Sequence, residues 1–415
     1  MSLFKNWYSR PIGYLKKWKI YIGVAVSRVP PYSIVFFPLM PDVICCGFAG
    51  ILTIKGGEKK EGRDLVEKFI GLFGEIKNKG MRALLSGAIT PAQSLGGNQY
   101  LRDMEKAILE LKTDTAFQDI FFNHRNTGLL SDLTKEMKVF FGDEEKCLEE
   151  NAGNFSTGDM ETINSRHILM KDIIWGLEKD ILDNIGRIIK LTGAGGVNEI
   201  SPEMFKKYKK INFLLNCIDR LEVRGRDSAG IQISLAFPDG AIFERVLKVL
   251  KEKGLYEDFS KRIRACDLQN GSICLSYGTQ PSDKLQGKGT ALSFVYKTSS
   301  IIGELGQNVR DLRKFISADR IFHEFAGQET DFETFISHTR WASVGSITDD
   351  NCHPVNNFTL DRNTALQGAT WPEIKKTYPF YGEGNWFISV VLNGDIDNYQ
   401  SLRMNLEKVE DLIAP

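Results

Sequence analysis

One long run of helical sequence limits what this chain can fold into more than any other feature. From about residue 60 to residue 192, apolar residues recur every three to four positions, as in METINSRHILMKDIIWGLEKDILDNIGRIIKL. This spacing is typical of amphipathic helices. The segment CGFAGILTI at 46–54, just before the run, has the character of a buried strand. The sequence therefore predicts a core that is interrupted near its start by a helical insertion at about 58–200.

Strand patterns dominate after the insertion. A further amphipathic helix, PEMFKKYKKINFLLNCIDRLEVRG, is predicted to end at Gly225. Five segments with the composition of strands follow it: IQISLAF, SICLSYG, ALSFVYK, FETFISHTR and WFISVVLNG. A chain of 415 residues is long enough to bury a sizeable core and to hold two or three domain-sized units. We therefore expect a fold of the α+β class.

The charge balance and the cysteine pattern exclude several classes of protein. The chain has 53 basic and 53 acidic residues, which argues against a general nucleic-acid binder and against a polybasic membrane protein. Its seven cysteines include no CxxC pair and no zinc-like spacing with histidine. The simplest interpretation is a reduced, cytoplasmic protein that binds no nucleic acid, no membrane and no metal.

The start of the chain differs in composition from the rest. Before Asp42 there are six basic residues and no acidic residue. A membrane-spanning helix needs about 20 consecutive apolar residues, but Arg28 and the prolines after it interrupt the apolar stretch. A secretory signal needs one compact apolar core, and IYIGVAVS is at best a short version of one. We therefore expect residues 1–45 to be a leader or pro-segment outside the folded core.

Three short motifs place polar residues at the ends of predicted strands, which is a common location for functional sites. In RLEVRGRDSAGIQISL, at 220–235, a helix ends in Arg-Gly and a polar turn leads into a strand. In ISHTRWASVG, at 336–345, a strand ends at an arginine and a tryptophan. In VVLNGDIDNY, at 390–399, an apolar strand stops at Asn-Gly. These motifs are the candidates for the chemistry of the chain.

Taken with CGFAG, the three motifs resemble the class II glutamine amidotransferases, which are N-terminal nucleophile hydrolases. The resemblance is strongest to the family of glutamine–fructose-6-phosphate aminotransferase, also called glucosamine-6-phosphate synthase. That family reads CGIVG, LEYRGYDSAG, HTRWATHG with NAHP, and HNGIIENY. This chain reads CGFAG, LEVRGRDSAG, HTRWASVG with NCHP, and LNGDIDNY, in the same order. The resemblance implies an αββα sandwich over 46–415, in which two antiparallel sheets lie between helix layers.

The resemblance also implies a reaction. Cys46 matches the family's nucleophile, whose thiolate attacks the side-chain amide of glutamine and forms a glutamyl thioester. The base is the free α-amino group of the same cysteine, which titrates near 7.7–8.0 in model peptides and suits proton transfer at neutral pH. Asn393 and the backbone N–H of Gly394 match the oxyanion hole. The products would be glutamate and ammonia.

Five further residues match the substrate-binding part of the family's site. Arg340 matches the residue that binds the glutamine α-carboxylate, for which a guanidinium group has the right geometry. Trp341 matches an aromatic gate over the site. Arg224, Asp227 and Ser228 match residues that shape the pocket of the nucleophile. The family's half-reaction needs no metal and no organic cofactor. Its ammonia would go to a phosphosugar, fructose 6-phosphate, to make an amino sugar in an isomerase domain that this chain lacks.

Each of these residues also has a structural interpretation. Cys46 alone would most often be a small buried hydrophobe. Asn393-Gly394 could form a type I′ turn, Arg340 could belong to a surface ion pair, and Asp227 could cap a turn. The order of the motifs favours the functional interpretation of Cys46, Asn393-Gly394 and Arg340, and for Asp227 both interpretations stay open. The two histidines near the motifs are expected to make structural hydrogen bonds: His338 and His353.

The chain departs from the family pattern inside the motifs and between them. Val344 replaces a histidine of HTRWATHG, which affects the expected contacts to glutamine. The separation of 178 residues between Cys46 and Arg224 exceeds that of the family, and the helical insertion accounts for it. A second insertion is expected at about 245–320. The family's acidic residue that binds the substrate α-amino group would lie beyond Pro415, so the chain resembles the front part of a longer protein.

The position of Cys46 leaves two functions open. If the leader is cut between Cys45 and Cys46, or if the true start lies close to Cys46, the cysteine gains the free amine that the reaction needs. If no cut occurs, the domain is a catalytically inactive interaction or regulatory module. The oligomeric state also stays open, with a homodimer as one option.

Overall fold

The structure is a computed structural model in which the chain forms two compact units, Gly56–Ser201 and the remainder. The bounds of the first unit are close to the predicted insertion at 58–200. The described residues are 21–27, 47–54, 63–238, 240–264, 269–277, 290–299, 304–342, 345–356 and 387–393. They form an α+β fold with antiparallel sheets, in agreement with the predicted class.

The first unit is helical throughout its described part, as the 3–4 spacing predicts. Its helices are α1 (Arg63–Lys77), α2 (Met81–Leu85), α3 (Gly97–Leu111), α4 (Asp114–Phe122), α5 (His124–Asn151), α6 (Thr157–Trp175) and α7 (Asp183–Thr192). Ser156 begins α6 with a reciprocal capping box, in which its hydroxyl accepts from the N–H of Asp159 and the Asp159 carboxylate accepts in return. The buried Arg166 donates to the carbonyl oxygens of Pro91 and Ala92 and thereby fixes the turn before α3.

The second unit is built on a five-stranded antiparallel sheet in the order β2-β6-β3-β5-β4. The strands are β2 (Gly47–Ile54), β3 (Ser228–Phe237), β4 (Ile273–Tyr277), β5 (Thr290–Ser299) and β6 (Phe332–Arg340). Each lies where an apolar, β-branched segment predicts a strand. The prediction for FETFISHTR is confirmed to the residue, and the other four strands are confirmed with ends that differ by up to three residues.

Helices cover one face of this sheet. They are α8 (Pro202–Leu221), α9 (Gly240–Glu252), α10 (Tyr256–Arg264), α11 (Gln307–Ala318) and α12 (Arg320–Ala326). Successive residues of a strand point to opposite faces, so Ile231, Ile233 and Leu235 all face the helices and are fully buried. Phe322 and Phe325 of α12 pack against aromatic rings of the sheet. This apolar layer holds the helices to the sheet.

The opposite face of the sheet carries buried polar residues and meets a second sheet. That sheet has the order β1-β8-β7, with β1 (Tyr21–Ser27), β7 (Val355–Asn356) and β8 (Phe387–Asn393). Gln232 of β3 donates through Nε2 to Ser389 Oγ of β8 at 2.6 Å, and β8 contacts β2 and β6. The described part of the chain thus shows a helix layer, a five-stranded sheet and a three-stranded sheet.

Part of the predicted leader belongs to this architecture. Residues 21–27 form β1, which pairs antiparallel with β8 from Tyr21 opposite Asn393 to Ser27 opposite Phe387. An unpaired edge of β8 would leave N–H and C=O groups without partners, and the apolar segment YIGVAVS is able to satisfy them. Seven residues of the expected leader therefore pair with a strand of the second sheet.

The stretch 245–320, where a second insertion is expected, contributes to the main sheet. It supplies β4, β5 and α11, and β5 lies inside the sheet between β3 and β4. Leu292 and Phe294 of β5 are fully buried, so this segment is part of the core of the second unit. None of the helices in the described ranges combines the length and the apolar character that crossing a membrane requires.

Candidate functional site

Three of the four sequence motifs meet at one end of the five-stranded sheet. β2 begins at Gly47, which pairs with Thr339, the last residue before Arg340. β3 begins at Ser228, which pairs directly with Arg340 at the end of β6. Neighbouring antiparallel strands run in opposite directions, so the starts of β2 and β3 and the end of β6 lie at the same end of the sheet. The structure therefore brings Arg340 and Ser228 beside the strand that follows Cys46 in the chain.

The loop before β3 packs tightly on the backbone at the end of β6. A Cβ atom on Gly225 would lie 2.8 Å from the carbonyl carbon of Arg340 and 2.9 Å from the nitrogen of Trp341, so only glycine fits there. Asp227 donates its N–H to the Arg340 carbonyl at 3.1 Å, and its Oδ2 accepts from the N–H of Ala342 at 2.8 Å. The Asp227 carboxylate thus caps the turn that follows β6, in line with the structural interpretation of this residue.

Arg340 is held by the loop that follows it. Its Nη1 donates to the carbonyl oxygen of Ser346 at 3.0 Å. Gly345 adopts a left-handed φ of +86°, and a Cβ there would lie 3.3 Å from Arg340 Nη2. A guanidinium presents five N–H donors in a rigid plane, so this contact fixes the orientation of the whole group. The indole of Trp341 lies at the rim of the site with 48% of its surface exposed.

The remaining matched residues lie at different depths. Arg224 is exposed in the turn after α8, whereas Ser228 is fully buried. Because Ser228 and Arg340 are a directly paired couple, their side chains leave the sheet on the same face. The Ser228 hydroxyl lies beside the thiol of Cys352 and opposes the effect of burial, which raises the pKa of that thiol. Ser228 is therefore buried against the loop that follows β6.

A pair of histidines lies behind this edge. The rings of His338 and His353 are 4.8 Å apart between centroids. Burial is the main cause that lowers the pKa of His338 to about 3 and that of His353 to about 4, so both rings are neutral at pH 7. Nδ1 of His353 accepts from the N–H of Leu392 at 3.3 Å, which confirms the predicted structural hydrogen bond and ties the end of β8 to the site.

The ring of His338 is almost fully buried and packs against its neighbour His353. A backbone hydrogen bond with Leu392 raises its pKa against the stronger effect of burial. The same backbone segment at the end of β8 therefore contacts both histidines of the pair.

The proposed oxyanion residues and the nucleophile fall largely outside the described residues. Asn393 is the last residue of β8, and only its backbone is described. Cys46, Gly394 and Val344 lie outside the described ranges. The described part of the site therefore carries Arg340, Trp341 and Ser228, and the carboxylate contact, the nucleophile and the oxyanion hole all stay predictions.

The motifs did not predict two residues that support the site, Glu222 and Asn308. Glu222 of the LEVRG motif is buried and accepts from the N–H groups of Gly306 and Val309 at the start of α11. Burial raises its pKa, and the two backbone donors oppose that shift. Asn308 of the same helix donates to the Arg226 carbonyl at 2.9 Å. The loop before β3 is therefore anchored on α11, and the only sequence signal was the glutamate inside the motif.

Within the described ranges, no group of three histidine, cysteine or acidic residues is arranged to hold a metal ion. Comparison of the chain with protein-family models, with curated proteins and with solved structures gave no match in any of the three searches.

Proposed function

We propose that this chain is a glutamine amidotransferase domain of the N-terminal nucleophile type, which hydrolyses glutamine to glutamate and ammonia. The observation that carries the proposal is the meeting of the CGFAG, RGRDSAG and HTRW motifs at one edge of the sheet, with Arg340 oriented there by Ser346. In sequence these motifs are up to about 290 residues apart. If the motifs matched the family only by chance, nothing would require them to lie close together in the fold.

The proposed reaction has two steps. The Cys46 thiol gives its proton to the free α-amino group, and its sulfur attacks the amide carbon of glutamine. The negative oxygen that develops is stabilised by Asn393 and the N–H of Gly394. The C–N bond breaks, the leaving nitrogen takes a proton and departs as ammonia, and a thioester remains. Water then attacks the thioester, which releases glutamate and restores the thiol.

Substrate binding would rest on the described residues. Arg340 would bind the glutamine α-carboxylate through the N–H groups that its contact to Ser346 orients. Trp341 would cover the substrate, and Arg224 and Ser228 would line the pocket. The ammonia would be consumed by a phosphosugar acceptor, fructose 6-phosphate in the family that the motifs resemble, in a cytoplasmic pathway of amino-sugar synthesis.

The deciding experiment is the intact mass and amino-terminal sequence of the expressed full-length chain, followed by a glutaminase assay and labelling with diazo-oxo-norleucine. A protease site placed before Cys46 in the full chain would generate the free amine if the cell does not. We expect label on Cys46 and release of glutamate only after the cysteine becomes amino-terminal. A processed protein that neither reacts with the label nor hydrolyses glutamine would contradict the proposal.

A substitution at Arg340 tests the carboxylate contact. Arg340→Lys keeps the charge but loses the planar group, so we expect the KM for glutamine to rise about tenfold or more, equivalent to at least about 1.4 kcal/mol of binding. The value of kcat should change much less. Arg320→Lys is the matched control, since Arg320 is exposed at the start of α12. An unchanged KM in Arg340→Lys would remove the α-carboxylate from its assigned site.

A second candidate function is an inactive amidotransferase-like module that binds a partner. It is favoured by the pairing of β1 with β8, because this pairing keeps residues 21–27 inside the fold and beside Asn393. This alternative predicts that the mature chain retains residues 1–45 and that Cys46 resists the glutamine analogue. The mass measurement above therefore separates the two functions.

A further inference from the structure

Lys297 in β5 is a buried lysine that the proposed reaction does not use. Its side chain is 1% exposed, and burial lowers its pKa. Burial of an ammonium group is costly unless it is well hydrogen-bonded. Its Nζ donates to the carbonyl oxygen of Asp349 at 3.0 Å, a residue of the loop that follows the HTRW motif. The lysine therefore attaches that loop to the central sheet.

Asp349 is the point at which the loop is held. Besides Lys297, Ser299 of β5 donates through Oγ to Asp349 Oδ1 at 2.9 Å. The N–H of Cys352 donates to the Asp349 carbonyl at 3.1 Å. Two side chains of one strand and one turn of the loop thus converge on one residue. The loop has a defined position relative to β5.

The same loop holds Arg340 at its other end. Asn351 donates through Nδ2 to the carbonyl oxygen of Ser346 at 3.2 Å and to its Oγ at 3.0 Å. That carbonyl oxygen is the acceptor for Arg340 Nη1. A continuous set of contacts therefore runs from β5 through Asp349 and the turn at 349–352 to the guanidinium.

We propose that Lys297 is a positioning residue for Arg340. By fixing the loop at 345–353, Lys297 holds Arg340 in place and so sets the affinity for the substrate α-carboxylate. This inference rests on the proposed glutaminase function. It assigns Lys297 no contact with the substrate and no part in the chemical steps. The effect of its loss should therefore appear in glutamine binding and not in the turnover of bound glutamine.

The test is Lys297→Met in the full-length chain, processed before Cys46 as above. Methionine fills a similar volume and leaves no unpaired buried charge, while the donor to Asp349 is lost. We expect the KM for glutamine to rise about tenfold, kcat to stay within about twofold, and the melting temperature to hold. Amide exchange in the 345–353 peptide should become faster. Ser299→Ala, which removes only the second contact, should raise KM about two- to threefold.

Lys207→Met is the matched control. Lys207 is as buried as Lys297, but its Nζ donates to the Gln328 carbonyl at 2.7 Å and pairs with the buried Glu333 carboxylate at 3.3 Å, away from the loop. Because Lys207→Met removes one partner of this buried ion pair, we expect a lower melting temperature there with an unchanged KM. If Lys297→Met keeps the wild-type KM, or if kcat falls with no change in KM, the positioning role is overturned. A processed wild-type protein without glutaminase activity would instead overturn the proposed function and, with it, this inference.

Discussion

Replacement of Gly230 by alanine is expected to destabilise the second unit by about 3 kcal/mol, at the upper end of the usual cost of overpacking. A Cβ atom at this position would lie 2.2 Å from the carbonyl oxygen of His353 and 3.2 Å from Cδ of Pro354. The obstacle is backbone, and that backbone is held in place by the contact of His353 with Leu392. A small local shift therefore cannot relieve the clash.

The effect of Gly230→Ala should reach the site as well as the fold. His353 ends the loop that holds Arg340, so its displacement should raise the KM for glutamine under the proposed function. Urea unfolding measures the stability loss. Gly327→Ala is the control in the same unit, because its Cβ would make only ordinary contacts at 3.7–3.8 Å at a φ of −73°. Equal stability of the two variants would contradict the close approach at Gly230.

Loss of the Asp319 carboxylate is expected to cost about 3–5 kcal/mol of unfolding free energy. Its two oxygens accept from Nη1 and Nη2 of Arg262 at 2.9 and 2.6 Å, and Oδ2 also accepts from the hydroxyl of Tyr296 at 2.7 Å. Oδ1 caps α12 by accepting from the N–H of Phe322 at 3.0 Å. Asp319→Ala would leave the largely buried Arg262 without the carboxylate to which it is hydrogen-bonded, and only the more distant charge of Asp258 would remain. This loss is the main reason for the large cost.

An exposed acidic residue of the same unit provides the comparison for Asp319→Ala. Asp331 precedes β6 and is exposed, so Asp331→Ala should change stability by no more than about 0.5 kcal/mol. Both variants can be measured by urea unfolding at pH 7. A cost below about 1 kcal/mol for Asp319→Ala would show that water replaces the lost carboxylate around Arg262.

The cost of Asp319→Ala should depend on pH. Burial alone would raise the pKa of Asp319, but Arg262 and the other donors outweigh it and hold the pKa below the usual value. A lowered folded-state pKa contributes stability above the unfolded-state pKa, near 3.9, and this contribution is lost as the pH falls through the folded-state value. The difference between wild type and Asp319→Ala should therefore be full at pH 7 and smaller at pH 3.

Local patterns predicted most of the elements of this fold. The 3–4 spacing of apolar residues predicted the helices of the first unit, and the β-branched segments predicted the strands of the five-stranded sheet. Both patterns are set by residues that are close in sequence. The order of the motifs predicted that Arg340 and Ser228 belong to one site, and the register of β3 and β6 brings them together.

Contacts between distant residues were beyond this kind of prediction. The pairing of β1 with β8 joins the predicted leader to the sheet because both segments are apolar, and nothing in residues 21–27 alone specifies that partner. Lys297 looks like a surface lysine in the sequence, and only the strand register and the loop at Asp349 show that it is buried. Glu222 likewise gains its role from the start of α11.

The pairing of β2 with β6 has a consequence for the order of folding. Ser337 donates to the Ala49 carbonyl at 3.0 Å across 288 positions of sequence. The separation is this large because the first unit, Gly56–Ser201, comes between the two strands in the sequence. Closing so long a loop slows the formation of the contact even where its entropic cost rises only gently. β2 is an edge strand, so β3 to β6 can assemble without it. We expect the strand that follows Cys46 to dock late and, under the proposed function, glutaminase activity to be acquired at the end of folding.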